Sequence, residues 1–279
     1  MEQDTLMNTN ETLDYIAGCE LADDCAAQVK GYAAAGMMAF LGADVADAPG
    51  LDESGEDKAE GGAVVASSLV AFAEGVSRQN KNDVMESFLF ATLVANKAFS
   101  PETQGDQWYD KFNEVLAKIG WLSTHWNYAR YRGAQQRFTM DEVGLEILGS
   151  AVAAAALPGP ASLAMLKVAG DAIAALRAKE EPLRLFESQT KAHRGGNFRI
   201  ASCVESQDGT VNLAMGAVKF QADSAVTNVL FWEWQNTHVE TWLGESHLVF
   251  NTAFYARHRE LIQDKLGSNA KRAIEEFDI

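Results

Sequence analysis

Apolar positions in this chain follow a helical rhythm first and a two-residue rhythm only later. Leu21 to Leu41 is rich in Ala and Met and ends near Gly42, Pro49 and Gly50, so a helix is expected there. Helical patterns resume at about 63–78 and again at 82–99, where Phe88, Leu89 and Phe90 sit mid-segment. Ser100-Pro101-Glu102 reads as a stop followed by a fresh start. Between 106 and 119, Trp108, Phe112, Val115, Leu116 and Ile119 fall three and four apart, which marks one face of an amphipathic helix. The aromatic stretch behind it (Trp121, His125, Trp126, Tyr128 and Tyr131) reads as a helix packed on the core.

Thr139 with Glu142 three residues on forms a capping box and opens the least ordinary part of the chain. From Ile147 to Leu166 there are twenty residues without a charge. Their length would permit a membrane span, but Leu157-Pro158-Gly159-Pro160 breaks the run and leaves each half too short. A buried helical hairpin over 143–176 is predicted, with a hairpin lying against a membrane as the other reading. Its many alanines either let backbones approach closely or leave a groove for something apolar.

After Glu181-Pro182 the period changes to two. Phe198 to Val204 alternates, Asp208-Gly209 signals a tight turn, and Thr210 to Phe220 alternates again. Val226–Trp234, His238–Leu243 and His247–Phe250 are further strand candidates, the last two joined by Gly244. Asn251 caps a final helix that runs to Leu266 and ends at Gly267 in a left-handed conformation. These elements predict an α+β fold: mainly helical first two thirds packed on a C-terminal antiparallel β-meander, closing with a C-terminal helix. One compact domain over 1–279 accommodates them. It comprises an acidic helical region (1–62) with a flexible loop at 50–62, a helical layer (63–190), a sheet (196–250) and the C-terminal helix (251–279).

Charge narrows the partners. The net charge is −16, and residues 1–62 hold fourteen acids against Lys30 and Lys58, which argues against nucleic acid as a ligand. Three cysteines (Cys19, Cys25 and Cys203) have neither metal-ligand nor disulfide-framework spacing, and no basic segment leads into an apolar stretch at the start. A cytoplasmic location in the producing cell is expected, with membrane association in a host after release. Serine-hydrolase, phosphate-loop and zinc-protease signatures are missing, and no metal is expected.

Cys203 stands out by its setting. It lies in Gly195-Gly196-Asn197-Phe198-Arg199-Ile200-Ala201-Ser202-Cys203, opposite a strand carrying Asn212, Ala214 and Gly216. A lone strand cysteine is ordinarily a small core hydrophobe. The sharper reading is a nucleophilic thiol in a pocket between the Ala-rich hairpin and the sheet, with His193 returning around the glycine pair as a base. Ala154, Leu157, Leu163, Leu166, Ala214 and Gly216 would line such a pocket.

The ordered segments ALPGPAS, EPLRLFE, HRGGNFRIASC, VTNVLFWEW, GESHLVFN and KLGSNAKRAIEEF resemble the Erwinia virulence factor (Evf) family over roughly residues 139–279. The resemblance implies an α/β protein whose cysteine holds a palmitoyl chain by a thioester in an apolar cavity, with a role in persistence in an insect gut. By position that cysteine is Cys203, because Cys19 and Cys25 lie outside the matching block. The implied ligand is a covalently bound, palmitoyl-like fatty acyl group drawn from a fatty acid or acyl-CoA. Three functions stay open. The first is a stably S-acylated, fatty-acid-binding virulence or toxin-like protein that meets membrane lipid. The second is a cysteine acyltransferase or thioesterase with an acyl-Cys203 intermediate and His193 as base. The third is a pore former built on the hairpin.

Overall fold

The structure, a computed structural model, describes residues 2–22, 59–131, 137–192, 194–223, 228–235, 239–267 and 273–279. The expected helix at 21–41 and nearly all of the acidic loop lie outside these residues. In the described part, helices α1 (Glu2–Gly18), α2 (Arg78–Ala98) and α3 (Gly105–Lys118) precede α4 (Met140–Ala154), α5 (Gly159–Ala178) and α6 (Glu180–Thr190). Short α7 (Thr252–Tyr255) and α8 (Arg259–Leu266) follow late in the chain. The strands are β1 (Gly61–Val65), β2 (Ser68–Phe72), β3 (Trp121–Arg130), β4 (Arg137–Phe138), β5 (Lys191–Ala192), β6 (Gly195–Glu205), β7 (Val211–Ala222), β8 (Trp234–Gln235), β9 (Val239–Phe250) and β10 (Ile274–Phe277).

One eight-stranded sheet organises the molecule, in the order β10-β1-β2-β6-β7-β9-β3, with β5 beside β6. All its pairs are antiparallel except β2 with β6. Helices cover both faces. One core joins α1, α2, α3 and α8 to the sheet through Phe88, Phe112, Trp121, Leu213 and Ile262. The other joins α4, α5 and α6 through Leu148, Met165, Leu176, Phe186, Ile200 and Val218.

The α+β class holds, and several segments differ from their patterns. Residues 63–78, expected to be helical, contain β1, the hairpin bend and β2, and every residue of β2 is buried. A strand covered on both faces has no polar alternation, so an Ala- and Val-rich run reads as helix or strand equally well. The aromatic stretch from Trp121, also expected as helix, is edge strand β3, with Trp121 stacked on Phe250 at 4.2 Å. Gly244 lies within the single continuous strand β9 and does not divide it. The single helix expected from Asn251 is two short ones, α7 and α8; the second ends as expected at Leu266, where Gly267 takes φ 47°, and the chain then returns as edge strand β10. Other local signals are realised: Glu142 Oε2 accepts from the Thr139 amide at 3.0 Å, and Asn251 Oδ1 caps Phe254 at 3.0 Å.

His258 joins the late helices to this core. It is buried, and its Nε2 lies 3.0 Å from the Ile119 carbonyl, while Nδ1 has no partner among the described residues. Burial lowers its pKa against a small opposing pull from that carbonyl, and His247 is lowered by burial too. A depressed folded-state pKa means that the unfolded chain binds the proton first. Stability from these groups is therefore complete above about pH 6.5 and drains away as pH falls below it. The melting temperature should drop between about pH 7 and pH 5, and the drop should be shallower in His258→Gln, which keeps a donor for the Ile119 carbonyl; equal slopes in a pH series of thermal melts would count against this account.

Candidate functional site

Cys203 projects from β6 into the layer of α2 and α3. Odd-numbered side chains of this strand (Asn197, Arg199, Ala201 and Cys203) share that face, and Ala201 and Cys203 belong to its core. Its cross-strand neighbours are Phe72 on β2 and Leu213 on β7, both buried in the same core. The thiol is fully buried, and burial together with Glu205 pushes its pKa well above the ordinary thiol value, against a weaker pull from Lys81. A group in that state is a thiol at neutral pH and not a thiolate. His193 lies outside the described residues.

The proposed pocket residues sit elsewhere. Ala214 and the hairpin belong to the core on the opposite face of the sheet from Cys203. Gly216, placed on that same face by the period of β7, is in contact with α4. A side chain there would meet the Leu148 amide at 2.9 Å and the Gly144 carbonyl at 3.0 Å, so the space beside Gly216 is filled by helix backbone. Gly144 is matched to it: a Cβ would come within 2.4 Å of Ile200 Cδ1. Here the small residues serve close packing of helix on sheet. The structure therefore brings Ala214 and Gly216 against the hairpin but keeps Cys203 a sheet's thickness away. Any acyl chain carried by Cys203 would enter the α2–α3 layer and not the hairpin.

At its far end the hairpin turns outward. Ala153, Ala154, Ala156, Pro158, Gly159 and Pro160 are exposed, Leu157 is half-buried, and Leu163 and Leu166 are 70% and 37% exposed. Ala156 takes φ 51° at the bend, a left-handed conformation that costs an L residue about 1 kcal/mol. By length and composition α5 could cross a membrane, yet only 33% of its apolar window is buried inside the fold. The inward side of α5, with Met165, Val168, Ala169 and Ala172, is fully covered, so the exposure is confined to one side and to the tip.

No family model and no curated protein matches this sequence. Among solved structures, the chain is similar to a delta-endotoxin at 12% identity and a TM-score of 0.41, over 67% of this chain and 84% of the other. It is also similar to a structure of the Evf virulence factor at 12% identity and a TM-score of 0.30, over 75% and 82% of the two chains. At these scores the likenesses assign neither an activity nor a ligand to this chain.

Arg199 was not singled out by any sequence motif. It is fully buried on the strand and face that carry Cys203, four residues earlier in the chain. Its only advance signal is a basic residue in the middle of a mostly apolar strand.

Two outcomes follow from the packing. Gly216→Ala should lower stability by about 2 kcal/mol in chemical denaturation, because the two nearest atoms that would have to yield are helix backbone; a neutral result would mean that α4 is free to shift. With Cys19 and Cys25 replaced by Ser, Cys203 should stay unreactive toward an aromatic disulfide reagent in the native protein and react fully once unfolded. Rapid native labelling would show that the thiol is accessible.

Proposed function

We propose that this protein acts at lipid membranes as a toxin-like effector, seating the uncharged end of the α4–α5 hairpin in the outer part of a bilayer. The observation that supports this reading is the exposure of apolar residues on α5: Leu163 and Leu166 project from it into solvent, 70% and 37% exposed, beside a bend of Ala, Pro and Gly. Burying side chains of this size is worth about 1.5–3 kcal/mol each. A helix whose sole task was to cover the sheet would turn these positions to polar residues.

Dimensions set the mode of contact. Each uncharged arm of eight residues (147–154 and 159–166) spans about 12 Å, far short of the roughly 30 Å hydrocarbon core. That length matches shallow seating at the boundary between headgroups and acyl chains. Lys167 and Asp171, paired at 2.9 Å on the next turn of α5, place charge where the arm would emerge. Attraction has to be apolar, because a chain of net charge −16 gains nothing from anionic lipid.

The test is flotation with phosphatidylcholine vesicles. The protein should float with them, bind vesicles containing phosphatidylserine no better, and release no trapped dye. Leu163→Glu with Leu166→Glu should abolish flotation while leaving the melting temperature unchanged. Loss of dye would instead favour a pore, and flotation that persists in the double variant would remove the hairpin from the contact.

A further inference from the structure

A second site lies on the other face of the sheet. Arg199 is fully buried beside the stacked rings of Trp108 and Phe112, whose centroids lie 4.7 and 4.8 Å from the guanidinium carbon. Its Nε donates to Ser68 Oγ at 2.7 Å, and its Nη2 donates to Ser67 Oγ at 2.7 Å and to Thr92 Oγ1 at 3.2 Å. Consecutive serines reach one guanidinium because Ala66, at φ 48°, bends the chain sharply just before them. No carboxylate among the described residues pairs with this charge; Tyr109 interacts with it, but Nη1 makes no hydrogen bond of ordinary geometry among them. Burial lowers the guanidinium pKa to about 10, with Tyr109 opposing the shift, so the group is still cationic at neutral pH.

The shell around this cation is polarised outward. A hydroxyl that accepts from Arg199 has its lone pairs turned inward and its hydrogen free to be donated away. That applies to Ser67 and Thr92, both of which line a cleft of about 730 Å³. Tyr109, beside the guanidinium, gives its hydrogen to Asn197 Oδ1 at 2.5 Å, which leaves the Asn197 Nδ2 hydrogens without an acceptor among the described residues. Asn96 has its oxygen engaged in the same way, since its Oδ1 accepts from Trp108 Nε1 at 2.8 Å, and its side chain is half-buried at the cleft. Asn96 and Asn197 line the same cleft, with Lys97 and Lys191 against the single acid Glu102. Lys97 also faces Glu20 at 3.8 Å.

We propose that this cleft binds a small ligand through an oxyanion group, a carboxylate or a phosphate, held by the hydroxyls of Ser67 and Thr92 and the amides of Asn96 and Asn197 above the Arg199 charge. The anion supplies the acceptors that the floor lacks and the countercharge that the buried guanidinium lacks. Arg199 acts through its shell, as a positioning residue. Hydrogen bonds to a charged group are the stronger kind, which makes the loss of one donor readable in affinity.

The test is isothermal titration calorimetry of the full chain with inorganic phosphate and, separately, with butyrate, at constant ionic strength set by sodium chloride. One-site binding of at least one anion is expected, and the anion that binds identifies the headgroup. Asn197→Asp, which keeps the acceptor for Tyr109 but places a carboxylate on the floor, should weaken binding by about tenfold or more. Thr92→Val, which keeps the shape and removes one hydroxyl, should weaken it too and serves if the aspartate variant fails to fold. Absence of binding by both anions, or unchanged affinity in a folded variant, would overturn the proposal. Neither result bears on the hairpin, whose test is vesicle flotation.

Discussion

A sheet covered by helices on both faces leaves its central strands with no contact to water, and that constraint governs the molecule. Every side chain of β2 and all but the last of β6 are buried, so each position must be apolar, small, or satisfied in place. The pairing of β2 with β6 is the structural hinge of this arrangement. It is the one parallel contact in the sheet, and it joins the early β1–β2 hairpin to the late β6–β7–β9 meander. Strands far apart in sequence therefore share one core on each face, with α2 and α3 on one side and α4 and α5 on the other.

Under that constraint a buried arginine is costly. Removing a guanidinium from water costs on the order of several kcal/mol, which hydroxyls alone return only in part. The cost is softened here by the stacked rings of Trp108 and Phe112 beside it and by lone pairs from Ser67, Ser68 and Thr92. Asp83 offers a contrast within the same helical layer. It is also fully buried, but Arg259 meets both its oxygens at 2.7 Å, which closes the charge balance. Arg199 has no such carboxylate among the described residues, and its compensation is dispersed through neutral groups that face a cleft. One pair is finished within the fold; the other is finished only by something that enters.

The legible and illegible parts of the sequence divide along the same line. Where an element has one wet face or a specific terminus, its residues announced it: α3 by the spacing of Trp108, Phe112 and Val115, α4 by Thr139 and Glu142, and the β6–β7 turn by Asp208-Gly209. Elements buried on both sides gave no alternation to follow, so β1 and β2 looked helical. The unusual alanine content of 147–166 was visible, but its purpose was not. Whether small residues line a void or admit a backbone depends on what lies opposite, and only the facing of Gly144 against β7 at Gly216 decides it. The face of β6 that carries Cys203 was likewise hidden, because a one-residue change of register would have sent it to the other layer.

The same hairpin shows how one composition serves two ends. Near its base, Gly144 and Gly216 let α4 sit on the strands so closely that a single added carbon would meet the Ile200 side chain at Gly144 and helix backbone at Gly216. Near its tip the small residues are exposed and leave a smooth end with Leu163 exposed on α5. Rigid seating at the base is what makes the tip usable. An apolar end on a loosely held helix would fold back onto the nearest apolar surface, whereas one clamped at Gly144 and Gly216 has to meet its lipid outside the molecule. The exposed leucines and the buried glycines are thus parts of one device, with the close packing fixing the direction in which the apolar end points.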